Sequence, residues 1–209
     1  SHSSIFSLYK DLQGSIWVGT YYGGVNYFNP VYDIFQHYTD NPERDDCLSF
    51  AYVGNMVEDK RGDIWICTEG GGLNCLHRAT GKFSYYLNDS SHPESFFPNL
   101  KCIEYNSAED CLYIGTHKQG MLCFDIASKN IRKEESWGKM GASFSEILLK
   151  GNSLYLLADN GLFVKSGKSG PLAYLFPDVK ETHAGGTAFF IDSQENVWMA
   201  LRDKLIRIS

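Results

Sequence analysis

The chain has 209 residues, of which 43% are hydrophobic and 14% aromatic, as in an ordinary globular protein. Its 25 acidic and 19 basic residues give a formal charge of −6 with no long run of either sign, which argues against nucleic acid as a partner because a phosphate-binding surface needs a basic patch. The longest apolar stretches, at 154–158 and 188–191, are too short to span a bilayer.

The main feature of the sequence is an internal repeat. A short apolar segment with an aromatic residue at its third place recurs five times, at Trp17, Trp65, Tyr113, Tyr155 and Trp198. The steps between these residues are 48, 48, 42 and 43 positions. A period of about 45 residues without a helical pattern predicts the four-stranded blades of a β-propeller.

The predicted elements follow one order in each repeat, and no helix is predicted. The chain opens with a strand at 4–10 and closes with a third strand at 204–208. The second repeat shows the full set of four strands, at 50–58, around Trp65, at 73–77 and at 82–87. We therefore predict an all-β partial propeller of four complete four-stranded blades plus most of a fifth, a fragment of a larger one, with blades at about 3–48, 49–98, 99–141, 142–184 and 185–209.

An aspartate opens the turn before three of the aromatic strands, at Asp11, Asp59 and Asp192. We expect each carboxylate to accept hydrogen bonds from nearby backbone amides, with a Gly or Asn in the left-handed position of the turn. Calcium binding or acid catalysis is the alternative. Repetition of one acid at one turn favours the structural role.

The six cysteines show no CxxC motif and no Cys/His cluster that would predict a zinc site. Most lie among apolar neighbours, so we expect buried thiols that pack as small hydrophobic side chains. The sequence predicts neither a metal site nor a cofactor.

The repeats resemble the two-component regulator propeller repeat, whose pattern is Asp-x-x-Gly-x-Leu/Ile-Trp-Ile/Val-Gly-Thr followed by Gly-Gly-Leu-Asn. Residues 11–20 with 23–26 match this pattern, and so do 59–68 with 71–74. The third repeat, at 113–121, is looser, and the fourth lacks both the Asp/Gly turn and the Trp.

This resemblance implies the periplasmic sensor region of a Bacteroidetes hybrid two-component histidine kinase, in which about fourteen repeats form two seven-bladed propellers. The implied function is detection of an oligosaccharide, with kinase and transcription modules outside this chain. The implied partners are the oligosaccharide and the remaining propeller repeats of the same protein. A membrane would be contacted only by parts of the protein that this chain lacks.

Candidate ligand-binding residues lie in the bends between the second and third strands, which share one face of a propeller with the connections between repeats. A sugar needs aromatic rings for its C–H patches and fixed hydrogen-bond partners for its hydroxyls, and an acidic sugar also needs cations. Polar tips of surface loops are the alternative interpretation of these residues, and Trp137, between two repeats, is either a stacking or a buried residue. The predicted site consists of Tyr21, Tyr22, Glu69, His117, Lys118, Gln119 and Arg202.

The sequence gives little support for catalysis. It contains no HExxH, GxSxG or P-loop motif, and its six arginines are scattered. A sensor should show aromatic and polar groups converging on one face, whereas an enzyme should show two close carboxylates. A scaffold that binds another protein, including a second copy in a homodimer, should show a wide apolar patch.

Overall fold

The computed structural model describes residues 4–29, 34–41, 44, 46–133, 143–167, 172–175, 188–201 and 204–208. Within these ranges the only helical segment is the single 3-10 turn Pro93–Ser95, and no helix has the length and apolar character needed to cross a bilayer. The strands are β1 Ile5–Lys10, β2 Ile16–Thr20, β3 Gly24–Asn29, β4 Ile34–Tyr38, β5 Val53–Glu58, β6 Ile64–Thr68, β7 Gly72–His77, β8 Lys82–Tyr86, β9 Leu100–Asn106, β10 Cys111–Thr116, β11 Met121–Asp125, β12 Ile131–Lys133, β13 Phe144–Lys150, β14 Ser153–Ala158, β15 Gly161–Ser166, β16 Leu172–Tyr174, β17 Ala188–Ile191, β18 Val197–Ala200 and β19 Leu205–Ile208.

The strands form small sheets in which sequence neighbours pair. Four sheets have four strands each, β1–β4, β5–β8, β9–β12 and β13–β16, and a fifth has the three strands β17–β19. Antiparallel pairing of successive strands through short turns is the blade arrangement of a propeller. The predicted all-β fold class, with four complete blades and most of a fifth, is confirmed.

The chain divides into two compact units, Ser1–Cys111 and Leu112–Ser209. In the first unit, Trp17 packs its ring 4.7 Å from Tyr27 and belongs to a core that includes Val53, Ile64 and Ile66 from the second sheet. In the second unit, the core joins the fourth and fifth sheets through Leu157, Leu162, Phe189, Val197 and Met199. Burial of each large aliphatic side chain contributes about 1.5–3 kcal/mol.

The aspartate turns have the predicted geometry. Asp59 Oδ1 accepts the backbone N–H groups of Arg61 at 2.8 Å and Asp63 at 3.2 Å, and equivalent bonds form at the other two turns. Gly14 and Gly62 occupy the left-handed position, with φ of 84° and 83°. In the third turn the prediction of Asn is wrong: Glu195 has φ of 67°. The left-handed residue is always the third after the aspartate, and Asn196 is the fourth.

The second oxygen of each aspartate accepts the indole N–H of the following tryptophan. The Trp65 Nε1 to Asp59 Oδ2 distance is 3.0 Å. Burial alone would raise the pKa of Asp59, but the hydrogen bonds from Trp65 and Arg61 outweigh it and hold the pKa below its usual range. Each of these aspartates therefore has a structural role, because it binds the backbone of the turn and the tryptophan of the following strand.

A buried ion cluster joins the first two sheets. Arg78 Nη1 lies 3.1 Å from both Asp11 Oδ2 and Glu58 Oε1, and its guanidinium carbon lies 5.9 Å from the centre of the Trp17 ring. Tyr9 donates its hydroxyl to Glu58 at 3.2 Å. Both carboxylates are almost fully buried, and Arg78 is the cation that both of them contact.

All six cysteines are buried, as predicted for side chains that pack as small hydrophobic groups. Burial, together with the neighbouring Cys102, raises the pKa of the Cys67 thiol well above its ordinary value. Cys67 is therefore a packing residue rather than a reactive one.

Candidate functional site

The bends that carry the predicted site are shaped by a repeated threonine. Thr68 donates its hydroxyl to the Gly72 carbonyl at 2.9 Å and accepts the Gly71 N–H at 3.1 Å, and Thr20 and Thr116 make the first of these bonds in their own repeats. The hydroxyl closes a tight loop in which the second residue after the threonine takes a positive φ.

That strained position is filled differently in each repeat. The second repeat places Gly70 there, with φ of 139°, whereas the first and third place Tyr22 at 59° and Lys118 at 72°. A bulky side chain in the left-handed region is uncommon, and such strain concentrates at functional sites. The bend thus holds the Tyr22 ring at the surface, where it is 57% exposed.

Three rings, which we call the tyrosine cluster, meet in the first unit. Tyr21 and Tyr22 come from the bend between β2 and β3, and Tyr52 directly precedes β5. The Tyr21 ring centre lies 4.6 Å from that of Tyr22 and 4.5 Å from that of Tyr52, and all three pairs are edge-to-face. Phe6 adds a fourth ring 5.7 Å from Tyr52. The exposed faces of these rings form an aromatic surface of the kind that stacks against sugar rings.

Glu69 lies beside the tyrosine cluster, and one of its carboxylate oxygens, Oε1, is a buried hydrogen-bond acceptor. Its backbone N–H donates to the Tyr52 carbonyl at 3.0 Å. Its Oε1 is buried and accepts no hydrogen bond from any residue that the structure describes, and Lys101 Nζ stands 3.8 Å away, beyond hydrogen-bond reach. Burial, the Glu69 carboxylate and the Tyr21 hydroxyl raise the pKa of Tyr52 to about 12, so its phenol stays a donor at neutral pH.

In the second unit, His117, Lys118 and Gln119 form one bend. The Gln119 N–H is bound by Thr116 at 2.9 Å and the Lys118 N–H by Ser143 Oγ at 3.2 Å. His117 Nδ1 is buried with no partner in the described part of the chain, and the same holds for Asn160 Oδ1 in the next bend.

The structure therefore brings Tyr21, Tyr22 and Glu69 together, with Tyr52 between them. The three predicted residues of the second unit are neighbours on one bend. Arg202 and Trp137 lie outside the described residues. Tyr52 was missed because the sequence predicted it inside a strand at 50–58, whereas β5 begins at Val53 and leaves Tyr52 in the preceding connection.

A separate polar cleft of about 460 Å³ lies against the acidic connection between the first two sheets. Asp40, Arg44, Tyr85 and Asn88 line it, with Asn41, Cys47, Leu48 and Ser49. Arg44 pairs with Asp46 through two bonds of 2.7 and 2.5 Å. The cleft offers hydrogen-bonding groups and one partly exposed ring.

Comparison with known proteins supports the repeat assignment at one segment. Residues 47–70 match the family described as two component regulator propeller. These residues include the Asp59 turn, the Trp65 strand and Glu69. No curated protein sequence matches the chain.

Solved structures with a similar fold include two extracellular domains from B. thetaiotaomicron. One belongs to a hybrid two component system and matches with a TM-score of 0.81 and 19% identity over 100% of this chain. The other belongs to a one component system and matches at 0.73 and 20% over 99%. The chain spans 29% and 27% of the lengths of these domains.

Virginiamycin B lyase from Staphylococcus aureus also has this fold, with a TM-score of 0.72 and 14% identity over 99% of this chain and 67% of the lyase. At such identities the likeness concerns the fold alone. The chain therefore has the fold of a β-propeller, and its residues 47–70 match the two component regulator propeller family.

Proposed function

We propose that this chain belongs to the extracytoplasmic, periplasmic sensor region of a two-component signalling protein and that its first unit binds an oligosaccharide. The observation that carries the proposal is the exposed tyrosine cluster beside Glu69, whose buried Oε1 accepts no hydrogen bond from the described residues. The rings supply stacking surfaces for the C–H faces of a sugar.

Glu69 supplies the hydrogen-bonding part of this site. A buried carboxylate oxygen without a donor costs free energy, and a ligand hydroxyl that donates to it removes that cost. Lys101 Nζ lies 3.8 Å from the same oxygen, close enough for electrostatic attraction but too far for a hydrogen bond. The resulting site, aromatic with one carboxylate, favours a neutral sugar over an acidic one.

The second unit offers a different chemistry for the same class of ligand. His117 and Lys118 can meet an anionic group, and the buried His117 Nδ1 is an open hydrogen-bonding position within the described residues. We propose this bend as a separate candidate position for an acidic sugar, the preference that its side chains imply.

Catalysis is not part of the proposal. Asp11 and Glu58 are two neighbouring carboxylates, as an enzyme would need. However, each binds Arg78 at 3.1 Å, and both are buried between sheets. A glycosidase needs one carboxyl group as acid and another as base or nucleophile beside the substrate. The shared guanidinium gives this pair a structural role instead.

A scaffold function is the second candidate, and the exposed apolar strand β1 favours it. Ile5 is 61% exposed and Leu8 is 64% exposed, with Phe6 also at the surface. Such a patch on an edge strand is suited to a protein partner. We infer that the remaining propeller repeats of the same protein cover this patch. The alternative is a homodimer, which light scattering of the isolated chain would detect.

A thermal-shift screen against defined neutral and acidic oligosaccharides tests the proposed function. A ligand that binds only the folded chain raises the melting temperature. We expect a neutral oligosaccharide to raise the Tm of the native chain and not that of Glu69→Gln or Tyr22→Ala. If no oligosaccharide stabilises the folded chain, the sensor proposal for this chain is wrong and the scaffold function is favoured.

A further inference from the structure

A cluster of three potential metal ligands lies at the opposite end of β6 from Glu69. Asp63 precedes β6, and Cys75 and His77 lie on β7. Because side chains alternate along a strand, residues two apart share one face. The cross-strand register places Ile64 opposite Leu76, so Asp63 follows next to His77.

The donor atoms of the three side chains already converge. A carboxylate oxygen of Asp63, the sulfur of Cys75 and a ring nitrogen of His77 all lie within 4.8 Å of one another. His77 Nδ1 is 2.8 Å from Asp63 Oδ2 and 3.9 Å from Cys75 Sγ. In a tetrahedral zinc site the donors are about 3.3–3.8 Å apart, from bond lengths of about 2.0–2.3 Å, so small side-chain adjustments are sufficient.

The histidine is also oriented as a metal ligand requires. Its Nε2 lies 2.9 Å from Ser84 Oγ on β8, which leaves Nδ1 directed at the carboxylate and the thiol. A ligating histidine usually donates its other ring N–H to a neighbouring acceptor, which fixes the tautomer. Asp63 and His77 are partly exposed, whereas Cys75 is fully buried, so an ion reaches the thiol from the solvent side past these two residues.

We propose that Asp63, Cys75 and His77 bind a divalent zinc-like cation, with water in the fourth position. The thiolate favours Zn²⁺ and Co²⁺ over Mg²⁺ and Ca²⁺, which prefer oxygen ligands. On binding, the Cys75 thiol loses its proton to the buffer, and the proton of the neutral His77 ring sits on Nε2, where it is donated to Ser84. Affinity therefore rises with pH, because proton release accompanies binding.

Cobalt titration of the native chain tests this site. We expect a one-to-one complex with a thiolate-to-cobalt charge-transfer band in the near ultraviolet, which Zn²⁺ displaces and which Mg²⁺ and Ca²⁺ leave unchanged. His77→Gln is the decisive variant, since this residue is partly exposed and its replacement leaves the core intact. It should weaken Co²⁺ binding at least tenfold, and Cys75→Ser should remove the charge-transfer band.

Two variants control for other donors. His92→Gln changes a second His–Asp pair, in which His92 lies 2.9 Å from Asp89, and Cys123→Ser removes another buried thiol. Both should bind Co²⁺ as the native chain does. Ser84→Ala should weaken binding by about tenfold, as expected for a residue that orients a ligand.

Three results would overturn the proposal. They are the absence of saturable Co²⁺ binding at millimolar concentration, binding without a thiolate band, and unchanged affinity in folded His77→Gln. Zinc should also raise the melting temperature of the native chain but not that of His77→Gln, and this readout is independent of any oligosaccharide.

Discussion

Trp65 donates its indole N–H to Asp59 at 3.0 Å, and the same bond joins Trp17 to Asp11 and Trp198 to Asp192 at 3.0 and 2.9 Å. Each aspartate thus holds its turn with one oxygen and its strand with the other. Three of the five sheets keep this pair, whereas the third and fourth have Tyr113 and Tyr155 at the tryptophan position and still form four strands.

Asp59→Ala should lower the free energy of unfolding by about 2–3 kcal/mol, since it leaves the buried Trp65 N–H and the turn amides without their acceptor. Asp59→Asn keeps an acceptor oxygen and should cost less. Urea unfolding of the two variants measures the difference. Equal losses in both would show that charge, rather than hydrogen bonding, determines the role of Asp59.

Arg78→Met should destabilise the chain by about 3–5 kcal/mol at neutral pH, because it leaves the Asp11 and Glu58 carboxylates buried without a counter-charge. The matched control is Arg44→Met, whose partner Asp46 is exposed, and which should leave stability nearly unchanged because solvent screens a surface pair. Chemical denaturation of both variants tests this contrast. A loss below about 1 kcal/mol for Arg78→Met would contradict the proposed role of the ion cluster.

Acid should destabilise the second unit through Asp192. Hydrogen bonds from Trp198 and Asn196 lower the pKa of Asp192 to about 2 from an ordinary value of 3.8. Since the folded-state pKa is the lower one, this stabilisation is present above about pH 4 and is lost as the pH falls through about 2. Thermal melts from pH 5 to pH 2 should show a smaller decline in Asp192→Asn than in the native chain, and parallel declines would contradict the assignment.

Tyr22→Gly separates binding from stability. Glycine accepts the φ of 59° without steric strain, and this gain offsets the edge-to-face contacts that the ring loses. We expect the free energy of unfolding to change by less than about 1 kcal/mol. A loss above about 2 kcal/mol in urea unfolding would mean that the ring is a core residue and not a ligand surface.

Local patterns in the sequence predicted the fold well, whereas the site was predicted only in part. The Asp59 turn and the Trp65 strand lie within a few residues of each other, so their contacts follow from spacing. Tyr52 joins Tyr21 from another repeat, and only the packing of two sheets brings these rings together. Glu195 was also not predicted. The left-handed backbone there is determined by the position in the turn, rather than by the residue type.

The proposed metal ligands show why motif searches miss sites on strands. A search for CxxC finds nothing here, yet Cys75 and His77 are two apart and face the same side of β7. The third ligand, Asp63, comes from the neighbouring strand end, 12 residues earlier in the chain. Such a set becomes visible only when the cross-strand register is known.

The central claim is that the tyrosine cluster and Glu69 bind an oligosaccharide. Isothermal titration calorimetry of the folded chain, with the oligosaccharide selected by thermal shift, tests this claim most directly. We predict saturable one-to-one binding that Tyr22→Gly and Glu69→Gln each weaken at least tenfold. Phe190→Ala, which removes another surface ring of 64% exposure from the fifth sheet, should bind as the native chain does. Unchanged affinity in Tyr22→Gly and Glu69→Gln would contradict the assignment of the tyrosine cluster as the ligand site.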